Sequence, residues 1–193
     1  MDYETKPTSR KDLRRYSRIL RKLFDVPDGG SFPVLEALEK IPDVFPDSNF
    51  IIVEDNALPA KTMAQCTPND AGGLTIEIKQ SVYDGAYGKN IGALRGFICH
   101  EICHVFLFYI GFTPIYARAF EEGTLPPYRS VEWQAKALCG EVMIPFDESR
   151  GMNAKEIQKI YQVSEAFARV RKSQDRSERS GRRYVPGNNK KRQ

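Results

Sequence analysis

Apolar residues change their spacing from segment to segment along this chain, and each spacing predicts an element. Leu13, Tyr16, Ile19, Leu20, Leu23 and Phe24 recur at helical intervals, which predicts an amphipathic helix over residues 10–24 with a basic outer face. Asp28-Gly29-Gly30-Ser31 reads as a turn, and Leu35, Leu38 and Ile41 predict a second short helix opening near Pro33. Phe50-Ile51-Ile52-Val53 predicts a strand. So does Leu74-Thr75-Ile76-Glu77-Ile78, rich in β-branched residues and entered through Gly72-Gly73. A third strand is expected near Met63 to Cys66. Asn90 to Ile110 predicts one long helix, apolar on nearly every side from Phe97 onward, the pattern of a helix at the centre of a fold; Gly111 and Pro114 end it. Ser130 to Met143 predicts another helix, stopped by Pro145. Residues 153–172 predict two short helices broken near Val163-Ser164, and from Ser173 onward apolar residues vanish, which predicts a disordered tail.

Composition narrows the class. The chain has 193 residues, 41% hydrophobic and 28% charged, the balance of one domain with a real core and not of a disordered or fibrous chain. Its longest apolar run, Val105 to Phe112, is far short of the roughly 20 residues that cross a bilayer. The start, Met1-Asp2-Tyr3-Glu4-Thr5, is acidic and polar, so the expected location is the cytoplasm, without membrane contact. Cys66, Cys99, Cys103 and Cys139 form no C-x-x-C pair, which argues against a disulfide framework and against a four-ligand structural zinc site. The net charge of +4 conceals an asymmetry: residues 1–24 hold eight Lys/Arg against three acids, and residues 171–193 hold nine against two. An acidic body with two basic ends suits either a solvated surface or weak contact with nucleic acid or an acidic partner.

The chemistry lies in the histidines. There are only two, and both fall in His100-Glu101-Ile102-Cys103-His104. On a helix, positions i and i+4 share one face a turn apart, so two imidazoles can grip one zinc ion. The glutamate between them points about 100° around from the first histidine, able to reach water at the metal without ligating it. Random shuffling of this composition yields that arrangement about once in a thousand trials.

Catalytic zinc takes three protein ligands and keeps a fourth position for water. A third histidine six residues on is excluded, because that residue is Ile110. Glu132, Ala135, Cys139 and Val142 fall on one helical stripe, which puts Glu132 on an otherwise apolar inward face, where a cation is the economical partner. The alternative for Glu132 is an ion pair with Arg95 or Arg129. Glu141 lies about 180° around from Glu132 and is expected to face solvent. Glu121 and Glu122 precede a Gly/Pro loop, a poorer platform for a ligand. Tyr83, Tyr128, Arg129 and Arg95 are the candidates for stabilising an oxyanion or supporting the ligands.

The segments Arg95-Gly96-Phe97-Ile98-Cys99-His100-Glu101-Ile102-Cys103-His104 and Glu132-Trp133-Gln134-Ala135-Lys136-Ala137-Leu138-Cys139-Gly140-Glu141-Val142-Met143-Ile144-Pro145 carry a resemblance. They resemble the ImmA/IrrE metallopeptidases, whose usual pattern is R-F-T-x-A-H-E-x-G-H followed by E-x-x-A-N-x-F-A-A-x-L-L-M-P. The similarity extends from Leu74 to the Tyr161–Ser164 segment, about half the chain, while residues 1–70 match in general layout only. The resemblance implies that His100, His104 and Glu132 bind zinc and that Glu101 is the general base. It also implies a protein substrate, a helix-turn-helix repressor as in mobile-element or stress regulation, or a toxin-like partnership with such a DNA-binding protein. Lys136 replaces the usual Asn, and Cys99, Cys103 and Cys139 stand where the family has Ala, Gly and Ala, either as small buried hydrophobes or as redox-sensitive thiols.

The expected architecture is α+β: a zincin-like metallopeptidase domain over residues 1–150, its small mixed sheet packed on a central zinc helix. Residues 1–30 supply the basic helix and turn. A helix-turn-helix-like appendage over residues 151–172 and a basic disordered tail over 173–193 follow. The Leu74–Ile78 strand is either an edge that pairs with an extended substrate or a core strand. A peptidase is the expected function, and a non-catalytic regulator of a repressor or DNA, with zinc as a brace, is the alternative.

Overall fold

A computed structural model of the chain describes residues 2–88, 92–121 and 124–179. Strand β1 (Asp2–Glu4) comes first, and then helix α1 (Arg10–Leu23), which starts where Ser9 accepts a hydrogen bond from the Asp12 N–H at 3.2 Å. Leu13 and Leu20 are wholly buried and Lys11, Arg15 and Lys22 are exposed, as the period predicts, although Ile19 and Leu23 also reach solvent. The short helix expected after Pro33 is two helices, α2 (Val34–Glu39) and α3 (Ile41–Val44). Pro42 has no N–H to continue the first one, so the chain re-enters helix with the proline in its opening turn.

Three strands make the main sheet. Central β4 (Leu74–Lys79) is parallel to β2 (Asn49–Val53) and antiparallel to β3 (Ala64–Pro68), giving the order β2-β4-β3. Ile76 and Ile78 alternate onto a fully buried face. The edge reading of Leu74–Ile78 is thereby corrected: β4 is hydrogen-bonded on both sides, and β3 is the edge strand that lies against the histidine helix.

Helix α4 (Gln80–Gly88) follows the sheet, and the histidine helix, α5, runs Gly92–Tyr109. Its first turn passes so close to the Gln162–Ser164 turn that a Cβ on Gly92 would lie 2.7 Å from the Val163 carbonyl carbon, so only glycine fits there. Gly111, at φ +85°, ends it: the Phe112 N–H turns back to the Leu107 carbonyl at 2.8 Å. Along its length Ile98, Cys99, Ile102, Cys103, Val105 and Phe106 are buried, which confirms its central position.

Strand β5 (Ile115–Phe120) pairs antiparallel with β1 as a separate two-stranded ribbon. Helix α6 (Val131–Met143) packs on α5 on one side and on α1 on the other. Helices α7 (Ala154–Tyr161) and α8 (Glu165–Arg179) pack on each other, with Asn153 and Glu156 forming a capping box at the start of α7. Disorder from Ser173 onward is corrected as far as Arg179, the last described residue, which is still in α8. Ala168, Arg171 and Asp175 form the buried stripe of α8, and Phe167 packs against the core beside it, so polar as well as apolar side chains hold it down. The rest of the expected tail, residues 180–193, lies outside the described residues. Among the described residues the architecture is a mixed α+β fold of a three-stranded sheet, a ribbon and eight helices. No single described helix is long and apolar enough to cross a membrane.

Candidate metal centre

Helices α5 and α6 bring His100, His104 and Glu132 together. The two Nε2 atoms are 3.0 Å apart, Glu132 Oε2 is 3.3 Å from His100 Nε2, and Glu132 Oε1 is 3.5 Å from His104 Nε2. A tetrahedral ion with ligand bonds of 2.0–2.1 Å separates its ligand atoms by about 3.3–3.4 Å, so these spacings suit one shared cation. The three residues form a group that could hold a metal ion. The imidazoles sit near right angles with centroids 4.6 Å apart, as expected for neighbours one turn apart on α5. The His100 and Glu132 side chains keep 22% and 39% of their surface exposed, which leaves the group open on one side.

Local charges favour a cation at this point. Burial pushes the Glu132 carboxyl up, but hydrogen bonding to His100 and His104 outweighs it and holds the carboxyl well below the usual range. Burial likewise pushes His104 down, yet its hydrogen bond to Glu132 and the charges of Glu101, Glu132 and Asp2 prevail and raise it. Two imidazoles facing a carboxylate in this way repel one another unless a proton or a metal ion lies between them.

Glu101 is 7% exposed and follows His100 on α5, close enough for its charge to act on His104. The Cys66 thiol on β3 donates to the Glu101 carbonyl at 3.4 Å, tying the edge strand to the helix at that residue. On α6, Ala135, Cys139 and Val142 are buried beyond Glu132, as the inward stripe predicts, and Leu138 is buried beside them. Cys99, Cys103 and Cys139 are free, buried thiols clustered against one another; burial pushes Cys103 well above the usual thiol range, whereas hydrogen bonding with Cys103 and Cys139 pushes Cys99 down to about 5.

Glu141 is corrected. It is wholly buried, with Arg171 Nη2 at 2.9 Å, Arg10 Nη1 at 3.3 Å and Arg14 Nε at 3.4 Å. The side of α6 opposite Glu132 faces α1 and α8 instead of water, and three guanidiniums compensate the charge. Arg95 is drawn away from the metal group: its guanidinium donates to the Phe32 carbonyl at 2.7 Å and to Gln162 Oε1 at 2.8 Å, clamping α5 to two turns. Arg129 pairs with Glu4 at 3.2 Å, so neither arginine forms the expected alternative ion pair with Glu132. Tyr128 is 53% exposed in the 3-10 turn Pro127–Arg129 just before α6, and Tyr83 stacks on Tyr87 with centroids 6.4 Å apart. Glu121 is exposed, and Glu122 lies outside the described residues. Sequence reasoning missed Asp2, which is 2% exposed and accepts hydrogen bonds from Ser130 Oγ and from the Glu132 N–H.

The fold and the site thus define a mixed α+β protein with a His–His–Glu group suited to a metal ion. No protein-family model matches the chain, and no curated protein matches it. A solved structure described as a Mycobacterium tuberculosis transcriptional regulator is similar over 82% of this chain, with a TM-score of 0.50 and 15% identity. The chain spans 45% of that protein's length, and the likeness is one of fold.

Proposed function

We propose that this chain is a zinc-dependent endopeptidase of the zincin-like kind, similar to the ImmA/IrrE metallopeptidases. On this reading it cleaves a protein substrate, a helix-turn-helix repressor. The observation that carries the reading is the convergence of His100, His104 and Glu132 beside a buried, non-ligating Glu101. A zinc ion held by the three ligands would supply Lewis acidity, polarising a peptide carbonyl and easing deprotonation of water. Glu101 takes the proton from the attacking water and passes it to the leaving amine. Its burial beside His104 keeps the carboxylate out of bulk solvent, where a proton acceptor of fixed position works best. The edge of β3, held to α5 through Cys66 and Glu101, offers backbone groups on which an extended peptide can lie.

The test is cleavage. Chelated protein is inert, and protein reloaded with zinc cuts a repressor encoded beside its own gene into discrete fragments. Failure of the zinc-loaded protein to cut any such repressor favours the second reading, a non-catalytic regulator that binds a repressor or DNA around a zinc brace. The basic ends of the chain support that alternative.

Ligand roles have their own test. His100→Ala and His104→Ala each lose the bound zinc, and Glu132→Ala weakens binding by at least about tenfold, since each leaves two ligands of three. Zinc content by elemental analysis and competition with a chromophoric chelator read both. Equal retention by Glu132→Ala and the parent removes Glu132 from the site.

A further inference from the structure

His100 and His104 lie deep inside an 18-residue helix, but Glu132 lies in the first turn of α6. A first helical turn has N–H groups without intrahelical partners and is the part of a helix that frays. A metal ligand there needs an anchor from outside its own helix. We propose that Asp2 is that anchor: a positioning residue whose carboxylate fixes the opening turn of α6 and, through it, the reach of Glu132 to the metal.

The hydrogen bonds are specific. Asp2 Oδ2 accepts from Ser130 Oγ at 2.6 Å, and Ser130 Oγ in turn accepts from the Trp133 N–H at 2.8 Å. Asp2 Oδ1 accepts from the Glu132 N–H at 3.2 Å and from the Tyr3 N–H at 2.8 Å. Two of the unsatisfied donors of α6 are therefore closed by one buried carboxylate and its hydroxyl relay. A negative charge at a helix N-terminus is also favourable in itself. Asp2 is held in turn by the β1–β5 ribbon, and the following residues clasp the same turn: the Thr5 N–H donates to the Arg129 carbonyl at 2.9 Å and the Thr8 N–H to the Tyr128 carbonyl at 3.0 Å. Gln134 Nε2 completes the clasp by donating to the Lys6 and Tyr128 carbonyls, each at 2.9 Å. The N-terminal strand thus belongs to the metal centre, 130 residues from the ligand it positions.

This inference rests on the metal-binding part of the proposed function, and the experiment separates the two. Full-length parent, Asp2→Ala, Asp2→Asn and Asn153→Ala are compared for zinc affinity by chelator competition and for the visible spectrum of the cobalt-substituted protein. Asn153→Ala removes the cap of α7, which packs on α8, and serves as a destabilised control outside the β1–α6 clasp. Asp2→Ala is expected to weaken zinc by about tenfold or more, the usual loss when support of a ligand is removed. It also alters the cobalt band intensities, which report ligand geometry. Asp2→Asn, which keeps one carbonyl acceptor, recovers part of the loss and supplies the measurement if Asp2→Ala does not fold. Asn153→Ala lowers the thermal midpoint and leaves affinity and spectrum unchanged. Asp2 variants with affinity within twofold of the parent and an unaltered spectrum overturn the anchor while leaving the metal centre standing. A parent that binds neither zinc nor cobalt overturns the metal centre itself.

Discussion

Replacing Glu141 with alanine is expected to lower the stability of the protein by about 3–5 kcal/mol, the usual cost of leaving a buried charge without its partner. Arg171 is the reason. Its side chain is 2% exposed, and besides the 2.9 Å contact with Glu141 its guanidinium donates to the Gly140 carbonyl at 3.0 Å and to the Ile144 carbonyl. Without the carboxylate a full positive charge remains buried, with Nη2 on two carbonyl dipoles that do not neutralise it and Nη1 deprived of its Glu141 acceptor. Arg10 and Arg14, about one-fifth exposed, can turn outward; Arg171 cannot. For a chain of this size the loss appears as a drop in thermal midpoint on the order of 6–20 °C. Asp147→Ala is the matched comparison, because the Arg18–Asp147 pair is more than half exposed and its loss costs at most about 1 kcal/mol. Zinc content stays at the parental level in both variants. Chemical and thermal unfolding read the difference, and a Glu141→Ala loss no larger than that of Asp147→Ala would show that the arginine cluster is not held by this carboxylate.

The same residue shows where sequence reading stops. The His100–His104 pair was legible because spacing alone puts both on one face of α5, and Glu132 was legible because an acid interrupts an apolar stripe. Glu141 was misread because a helical wheel offers one inside and one outside, whereas α6 is sandwiched between α5 and α1 and has two insides. The extent of α8 was underestimated for a related reason: its buried stripe includes Arg171 and Asp175, which look like surface residues until their partners are known. The sheet order was hidden as well, since a run such as Leu74–Ile78 reads the same with one hydrogen-bonded neighbour or two. Least legible was β1. Three residues carry no periodicity, and their pairing with β5 and contact with α6 span most of the chain, so nothing local marks Asp2 as anything but a solvated acid.

If the chain is the zinc peptidase proposed above, Glu101→Gln is expected to keep zinc and fold while repressor cleavage falls by at least about 100-fold, the lower end of what a positioned general base contributes. The amide has nearly the volume of the carboxylate, so the packing around a residue that is 7% exposed is preserved. The backbone position is held independently by the Cys66 thiol on the Glu101 carbonyl, which the substitution does not touch. His100, His104 and Glu132 remain in place, so metal content and thermal midpoint match the parent. What the amide lacks is a lone pair basic enough to take a proton from water at neutral pH. On the proposed reading the variant therefore separates chemistry from binding: it is expected to capture the repressor without cutting it. Parallel time courses for parent and variant, both assayed for zinc per chain, read the effect directly. Cleavage by Glu101→Gln at more than a tenth of the parental rate would remove Glu101 as the base and move the proton transfer to another group.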